Sequence, residues 1–141
     1  MPIASLIGEK IFCVHDGLIP YLSNLEHISK IERPTEIPDS EFLCDLLNSA
    51  PDKYESSYSD VDKGIGVVYG EKPICDFIKE NNLDLLSGVI QLLMWIFADK
   101  KLVTIFSVPN YAREFDNCAS IANIDEKLNV TFQIIKTKYS K

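Results

Sequence analysis

The chain has 141 residues, of which 46% are hydrophobic and 25% are charged, and its formal net charge is −7 at pH 7. This length suits one ordinary domain, and these proportions are typical of a globular protein rather than a disordered one. The negative charge argues against nucleic-acid binding, which needs lysine and arginine clustered on one face.

No segment predicts a membrane span or a secretory signal. The longest apolar stretch, residues 83–98, is interrupted by Asp84, Ser87, Gly88 and Gln91. It falls short of the roughly 18 to 20 apolar residues that a spanning helix needs. The four cysteines form no C-x-x-C pair, and three of them have apolar neighbours, which predicts buried, reduced thiols. We therefore expect a soluble protein of the cytoplasm or the nucleus, without a membrane partner.

The first part of the chain predicts a strand followed by two helices. Residues 10–15 are rich in β-formers and end at a turn over 16–17. A capping box at 23–26 predicts a helix that Pro34 closes. Residues 38–51 predict a second helix, with a polar cap at 38–40 and a proline at its end.

The second part predicts mostly strands. Residues 52–63 are polar and acidic and predict a loop, whereas residues 65–70 have strand character. Pro73 predicts the first turn of a third helix, which two asparagines end. Four further strands are predicted over 83–86, 102–108, 118–124 and 129–135. The pattern therefore predicts a mixed α/β (α+β) chain.

Several segments, taken together and in this order, carry a family resemblance. They are Glu9-Lys10-Ile11-Phe12-Cys13-Val14-His15, Arg33-Pro34-Thr35, Leu43-Cys44-Asp45-Leu46-Leu47, Ser107-Val108-Pro109-Asn110-Tyr111 and Glu114-Phe115-Asp116-Asn117. They resemble the C-terminal half of a protein phosphatase 1 type serine/threonine phosphatase catalytic subunit, in the calcineurin-like metallophosphoesterase superfamily. The resemblance covers essentially the whole chain. It implies that residues 1–141 form a single partial catalytic domain without the N-terminal half.

The resemblance implies a two-sheet β-sandwich with flanking helices and a two-metal centre. In the family, two divalent ions, manganese or iron, bridge a water that attacks phosphorus. The cations neutralise the phosphate oxygens and generate hydroxide at neutral pH. Most family ligands lie in Gly-Asp-x-His, Gly-Asp-x-x-Asp-Arg-Gly and Gly-Asn-His-Glu segments, none of which occurs here.

The remaining site positions depart from the family pattern. His15 matches a metal-ligand histidine, but Ile90 stands where the family has its second one. Lys63 replaces a phosphate-binding arginine, which keeps the charge and loses the planar fork. Tyr111 matches a tyrosine at the lip of the active site, and Asp16 replaces a glycine in the turn after His15. The resemblance therefore implies a chain that is inactive as this fragment and binds no metal.

Each of these side chains also has a plainer interpretation. His15 is then a histidine at a strand end without a metal, because a single imidazole lacks the multi-ligand geometry that metals need. In the same interpretation, Lys63 is a solvated loop lysine, and Tyr111 is packed or exposed without a functional role.

A second family feature is a groove, distant from the metals, where regulatory subunits insert an extended Val-x-Phe-type peptide. The matching positions here are Ile11, Asp84, Leu85, Leu128, Val130 and Phe132. Most are apolar, as such a pocket needs, although ordinary core packing would retain the same residues. The alternative function is therefore a non-catalytic binding module that competes for phosphatase regulatory subunits.

The absence of family segments also predicts exposed sheet edges and apolar faces. Such edges would favour self-association of the chain or association with a partner. A separately made N-terminal half would be a third way to an active enzyme, but Ile90 would still leave the centre one ligand short.

Overall fold

The computed structural model describes residues 2–61, 64–89 and 94–136. Within them the helices are α1 (Glu26–Ser29), α2 (Phe42–Leu46) and α3 (Glu71–Glu80), and Tyr111–Arg113 form a 3₁₀ turn. The strands are β1 (Ala4–Ile7), β2 (Ile11–Val14), β3 (Ala50–Pro51), β4 (Tyr58–Asp60), β5 (Val67–Tyr69), β6 (Leu85–Gly88), β7 (Trp95–Phe97), β8 (Leu102–Thr104), β9 (Ala119–Ile124) and β10 (Val130–Ile135). The predicted mixed α+β class is confirmed.

The main sheet has the strand order β1-β2-β6-β8-β7. Its central strands β2, β6 and β8 are parallel, and Phe12, Leu86 and Leu102 lie opposite one another in them. The edge strands β1 and β7 pair antiparallel with β2 and β8. Because parallel strands end at the same side of a sheet, the segments after β2, β6 and β8 share one edge. The candidate site lies at that edge.

The core forms between this sheet and α3. Ile74, Phe77 and Ile78 recur at helical spacing along α3 and are buried, so the helix presents one apolar face. The rings of Phe12 and Phe77 have centroids 5.6 Å apart. The same cluster includes Val14, Leu18, Ile19, Leu46, Tyr69, Leu86 and Leu102. Burial of these side chains is the main stabilising contribution to the fold.

Two smaller sheets complete the chain. One has the order β3-β5-β4, and the other is the antiparallel ribbon of β9 and β10. The turn of the ribbon contains Leu128, whose side chain lies against Gly8 in the turn between β1 and β2. At the ribbon's start, the amide of Ser120 donates to the carbonyl of Phe106 at 2.7 Å. These contacts join the ribbon to the main sheet.

Two predicted strands have different bounds in the structure. The strand predicted over 83–86 is β6 at Leu85–Gly88, because the Leu83 amide donates to the carbonyl of Ile78 and still closes α3. The strand predicted over 102–108 ends at Thr104. Beyond it the Phe106 amide donates to the Ser120 hydroxyl, at 3.4 Å, and so leaves the ladder. The strands predicted at 118–124 and 129–135 are confirmed as β9 and β10.

Local turn chemistry was the weaker part of the sequence interpretation. The capping box at 23–26 is wrong, because Asn24 Oδ1 rather than Ser23 accepts from an amide, that of Glu26, at 2.9 Å. The predicted cap at 38–40 is also wrong, since α2 begins without a side-chain cap. The predicted loop 52–63 contains β4, which pairs with β5. No helix in the described parts of the chain is long and apolar enough to cross a membrane.

Candidate functional site

The candidate site is built where three parallel strands end. His15 follows β2, and its carbonyl accepts a hydrogen bond from the amide of Val89, after β6, at 2.8 Å. In turn, the carbonyl of Gly88 accepts from the amide of Ile105, after β8, at 2.8 Å. The backbone therefore holds the three strand ends together, and the position of His15 is set by the sheet.

The turn after His15 is held from the opposite side by Tyr69. This tyrosine ends β5, is fully buried, and donates its hydroxyl hydrogen to the carbonyl of Asp16 at 3.1 Å. A Cβ at Gly17 would overlap that hydroxyl, so glycine is required there for space. Asp16 does not have a positive φ. The aspartate therefore fits this turn, because its backbone does not need the left-handed conformation that favours glycine.

The side chains of His15 and Asp16 lie side by side. His15 Nε2 is 3.9 Å from Asp16 Oδ1, and the two side chains are 58% and 21% exposed. Burial raises the pKa of Asp16 to about 6, and the nearby imidazole opposes this rise. Burial, and then the charge of Asp16, raise the pKa of Tyr69, which stays a neutral donor. The turn therefore offers one imidazole and one carboxylate.

These donors do not fit the two-metal centre of the family. Among residues 2–61, 64–89 and 94–136, no group of three or more His, Cys, Asp or Glu side chains is placed to hold a metal. Even a single catalytic zinc ion is usually held by three protein ligands, and a two-metal centre needs more. Ile90 and Lys63 lie outside the described residues, so the predictions at these positions stay predictions.

Tyr111 lies in the loop between β8 and β9. Its side chain is 46% exposed, and its ring packs edge-on against Phe106 with centroids 5.3 Å apart. Its amide donates to Asn117 Oδ1 at 2.8 Å. Asn117 also donates to the carbonyl of Val108 at 2.7 Å, and so closes the loop around Tyr111. Asn117 therefore fixes the loop that carries Tyr111.

The residues of the predicted peptide groove come from the main sheet and from the ribbon of β9 and β10. Ile11 and Leu85 are direct partners in β2 and β6, and Asp84 precedes Leu85 with its side chain exposed. Val130 and Phe132 alternate along β10 and are both half-buried. Of the groove residues, Leu128 contacts the main sheet, through Gly8 in the turn between β1 and β2. Binding of a peptide there stays a prediction.

Sequence reasoning missed a cleft beside His15. Its volume is about 710 Å³, and its walls include Ile3, Val14, Ile37, Leu43, Leu47 and Val89, with the polar residues Ser5, His15, Arg33, Thr35 and Asn48. Cys13 also lines it, and burial raises the pKa of its thiol. These residues are scattered over the first 89 positions, so no local pattern points to them. The one sequence signal that could have indicated the cleft was the Arg-Pro-Thr segment, to which Arg33 belongs.

Comparison with known proteins supports the family resemblance. Residues 1–88 match the calcineurin-like phosphoesterase family. The whole chain is similar in structure to a protein serine/threonine phosphatase from Saccharomyces cerevisiae, itself described as similar to human phosphatase PP5, with a TM-score of 0.83 and 19% sequence identity. That match covers 49% of the yeast protein, so this chain spans about half its length. Over the length that they share, the two chains have the same fold. The chain belongs to the calcineurin-like phosphoesterase family.

Proposed function

We propose that this chain is a non-catalytic member of its family: it keeps the phosphatase fold and hydrolyses no phosphoprotein by itself. The donor set at the candidate site carries this proposal. His15 and Asp16 are the two adjacent donors, and no larger cluster forms within the described parts of the chain. One imidazole and one carboxylate are too few to hold two cations.

The chemistry of phosphate-ester hydrolysis explains why the small number of metal ligands matters. A phosphate monoester dianion repels an incoming nucleophile, and two divalent cations relieve that repulsion while they activate water. Arginine side chains then bind the phosphate oxygens in a bidentate manner. In the family the cations are manganese or iron, and we expect this chain to retain neither. Without them, the turn at His15 has no means to generate hydroxide at neutral pH.

The test is a phosphatase assay on purified protein supplied with manganese, with metal content measured in parallel. We expect less than stoichiometric metal and no chelator-sensitive release of phosphate from p-nitrophenyl phosphate. His15→Ala is the matched variant, and it should have the same background rate as the wild type. Stoichiometric metal, together with turnover that His15→Ala or a chelator abolishes, would overturn the proposal.

We propose as a second function that the chain binds phosphatase regulatory subunits and competes for them with an active enzyme. The observation that favours it is that Val130 and Phe132, alternate residues of β10, are both half-buried. An extended peptide is recognised by pockets for alternate side chains, which such a row offers. The four cysteines are free, which suits the cytoplasm or the nucleus.

Titration with a labelled Val-x-Phe peptide tests this second function. Phe132→Ala should weaken binding by about 2 kcal/mol or more, because aromatic anchors dominate such interfaces. Ile135→Ala is the matched control, since Ile135 lies on β10 three residues along and is on the other face. Equal losses in the two variants, or a flat titration with folded protein, would contradict binding at this groove.

A further inference from the structure

Ser57 carries an exposed hydroxyl in an acidic segment that neither proposed function uses. Of the eleven residues from 52 to 62, four are acidic and one is basic. The side chain of Ser57 is exposed, and it lines a hollow of about 280 Å³ together with Tyr58 and Pro73. A group added to the Ser57 hydroxyl therefore has room beside the chain.

The backbone that follows Ser57 is already extended. Tyr58–Asp60 form β4, which pairs with β5 and lies at the edge of its three-stranded sheet. The carbonyl of Ser57 accepts a hydrogen bond from the amide of Gly70 at 2.8 Å, which fixes the residue at the start of this strand. Another protein can bind an extended segment at a sheet edge through its backbone. Ser57 and the three residues after it are therefore accessible to an enzyme that binds extended peptides.

An exposed carboxylate lies close after this hydroxyl in the sequence. Asp60 is the third residue after Ser57, and its side chain is exposed. Protein kinases select substrates partly by the pattern of charge around the acceptor, and one class selects serines followed by a carboxylate at this spacing. Ser23 has the same spacing to Glu26, but Glu26 begins α1 and Leu25 has helical dihedral angles. Of these two serines, Ser57 is the one followed by extended backbone.

We propose that Ser57 is a phosphorylation site for a protein serine kinase that selects acidic substrates. In this step Ser57 Oγ bonds to the γ-phosphorus of ATP, and the bond from that phosphorus to the bridging oxygen of ADP breaks. The hydroxyl proton passes to a carboxylate of the kinase, and ADP leaves. The product carries about 1.5 to 2 negative charges at pH 7. The modification requires no hydrolysis by this chain, so it is independent of the proposed loss of phosphatase activity.

The first experiment is incubation of the folded 141-residue chain with magnesium, ATP and a purified serine kinase that selects acidic substrates. Fragment-ion mass spectrometry then locates the phosphate. We expect one phosphoryl group per chain on Ser57, and a rate at Ser23 that is at least about tenfold lower. A serine kinase that selects basic substrates should leave Ser57 unmodified. No phosphate, phosphate mainly on Ser56 or Ser59, or equal rates at Ser57 and Ser23 would overturn the proposal.

Matched charge changes test the role of Asp60. Asp60→Asn should lower kcat/KM at Ser57 about tenfold, because it removes one charge-assisted contact with the kinase. Asp99→Asn makes the same charge change in the exposed turn between β7 and β8 and should have no effect. Asp60→Glu keeps the charge and should keep the rate, which separates the loss of the carboxylate from damage to β4. Equal rates for Asp60→Asn and Asp99→Asn, or equal losses for Asp60→Asn and Asp60→Glu, would overturn the proposal.

Discussion

Gly17 is the residue on which the turn after His15 most depends. Its α-carbon lies so close to the Tyr69 hydroxyl that a methyl group there would overlap it. We expect Gly17→Ala to lower the free energy of unfolding by about 3 kcal/mol, as overpacked sites do. Gly64→Ala is the comparison, because Gly64 has open space around it and its φ of +70° adds only the backbone strain of a left-handed alanine, about 1 to 2 kcal/mol. Urea denaturation should show the larger loss for Gly17→Ala.

Asp16 should make the stability depend on pH. Its pKa in the folded chain is raised from 3.8 to about 6, so between these values the folded chain holds a proton that the unfolded chain has released. Stability from this residue is therefore present below the lower value and is lost as the pH rises through about 6. The loss should be about 2 to 3 kcal/mol, and Asp16→Asn should abolish it. Urea denaturation of the wild type and of Asp16→Asn from pH 4 to pH 7, with chelator present, measures this loss of stability. The same pH dependence in both proteins would contradict the prediction.

Among the elements, the loop between β8 and β9 depends on one buried amide. Asn117 accepts from the amide of Tyr111 and donates to the carbonyls of Val108 and Cys118, at 2.8, 2.7 and 3.3 Å. Asn117→Ala would leave these backbone groups unpaired, so we expect a loss of about 2 to 3 kcal/mol. Hydrogen exchange of the Tyr111 amide should also accelerate.

The control for this loop is Asn123→Ala, since Asn123 is exposed on β9. It should change the unfolding free energy by about 0.5 kcal/mol or less. If the Tyr111 amide hydrogen exchanges at the same rate in the two variants, the loop is held by its backbone or its ring contacts rather than by Asn117.

For the whole molecule, the important feature is the edge of the main sheet at β1, a strand that pairs only with β2 within the described residues. β1 lies at that edge, and Leu6 on it is 45% exposed. Unpaired edges with apolar side chains favour strand addition, and we propose that the chain self-associates there. Sedimentation should show an average molecular mass that rises with protein concentration. The Leu6→Lys variant should have a lower average mass at the same concentration. Ile65→Lys, at a residue 44% exposed and outside the strands, should not.

The sequence predicted much of the fold and less of the site. Patterns of apolar and turn residues placed α3, β2, β5, β9 and β10. It missed β1 and β7, which lie at sheet edges and whose residues are mostly partly or fully exposed. His15 and Tyr111 were identified through the family resemblance; the structure places His15 where β2, β6 and β8 end and Tyr111 in the loop after β8. The cleft beside His15 was not predicted, because most of the residues that line it are distant from one another in sequence.

By itself, the sequence determined which family the chain resembles and which metal-ligand segments it does not contain. Those conclusions follow from residue identity and order, which need no coordinates. The tertiary structure decided that Asp16 fits its turn, that Tyr69 occupies the space beside Gly17, and that an apolar cleft opens beside His15. Each of these three features brings together residues from separate strands or loops. Local periodicity carries no information about such contacts, because they exist only after the parallel strands have paired.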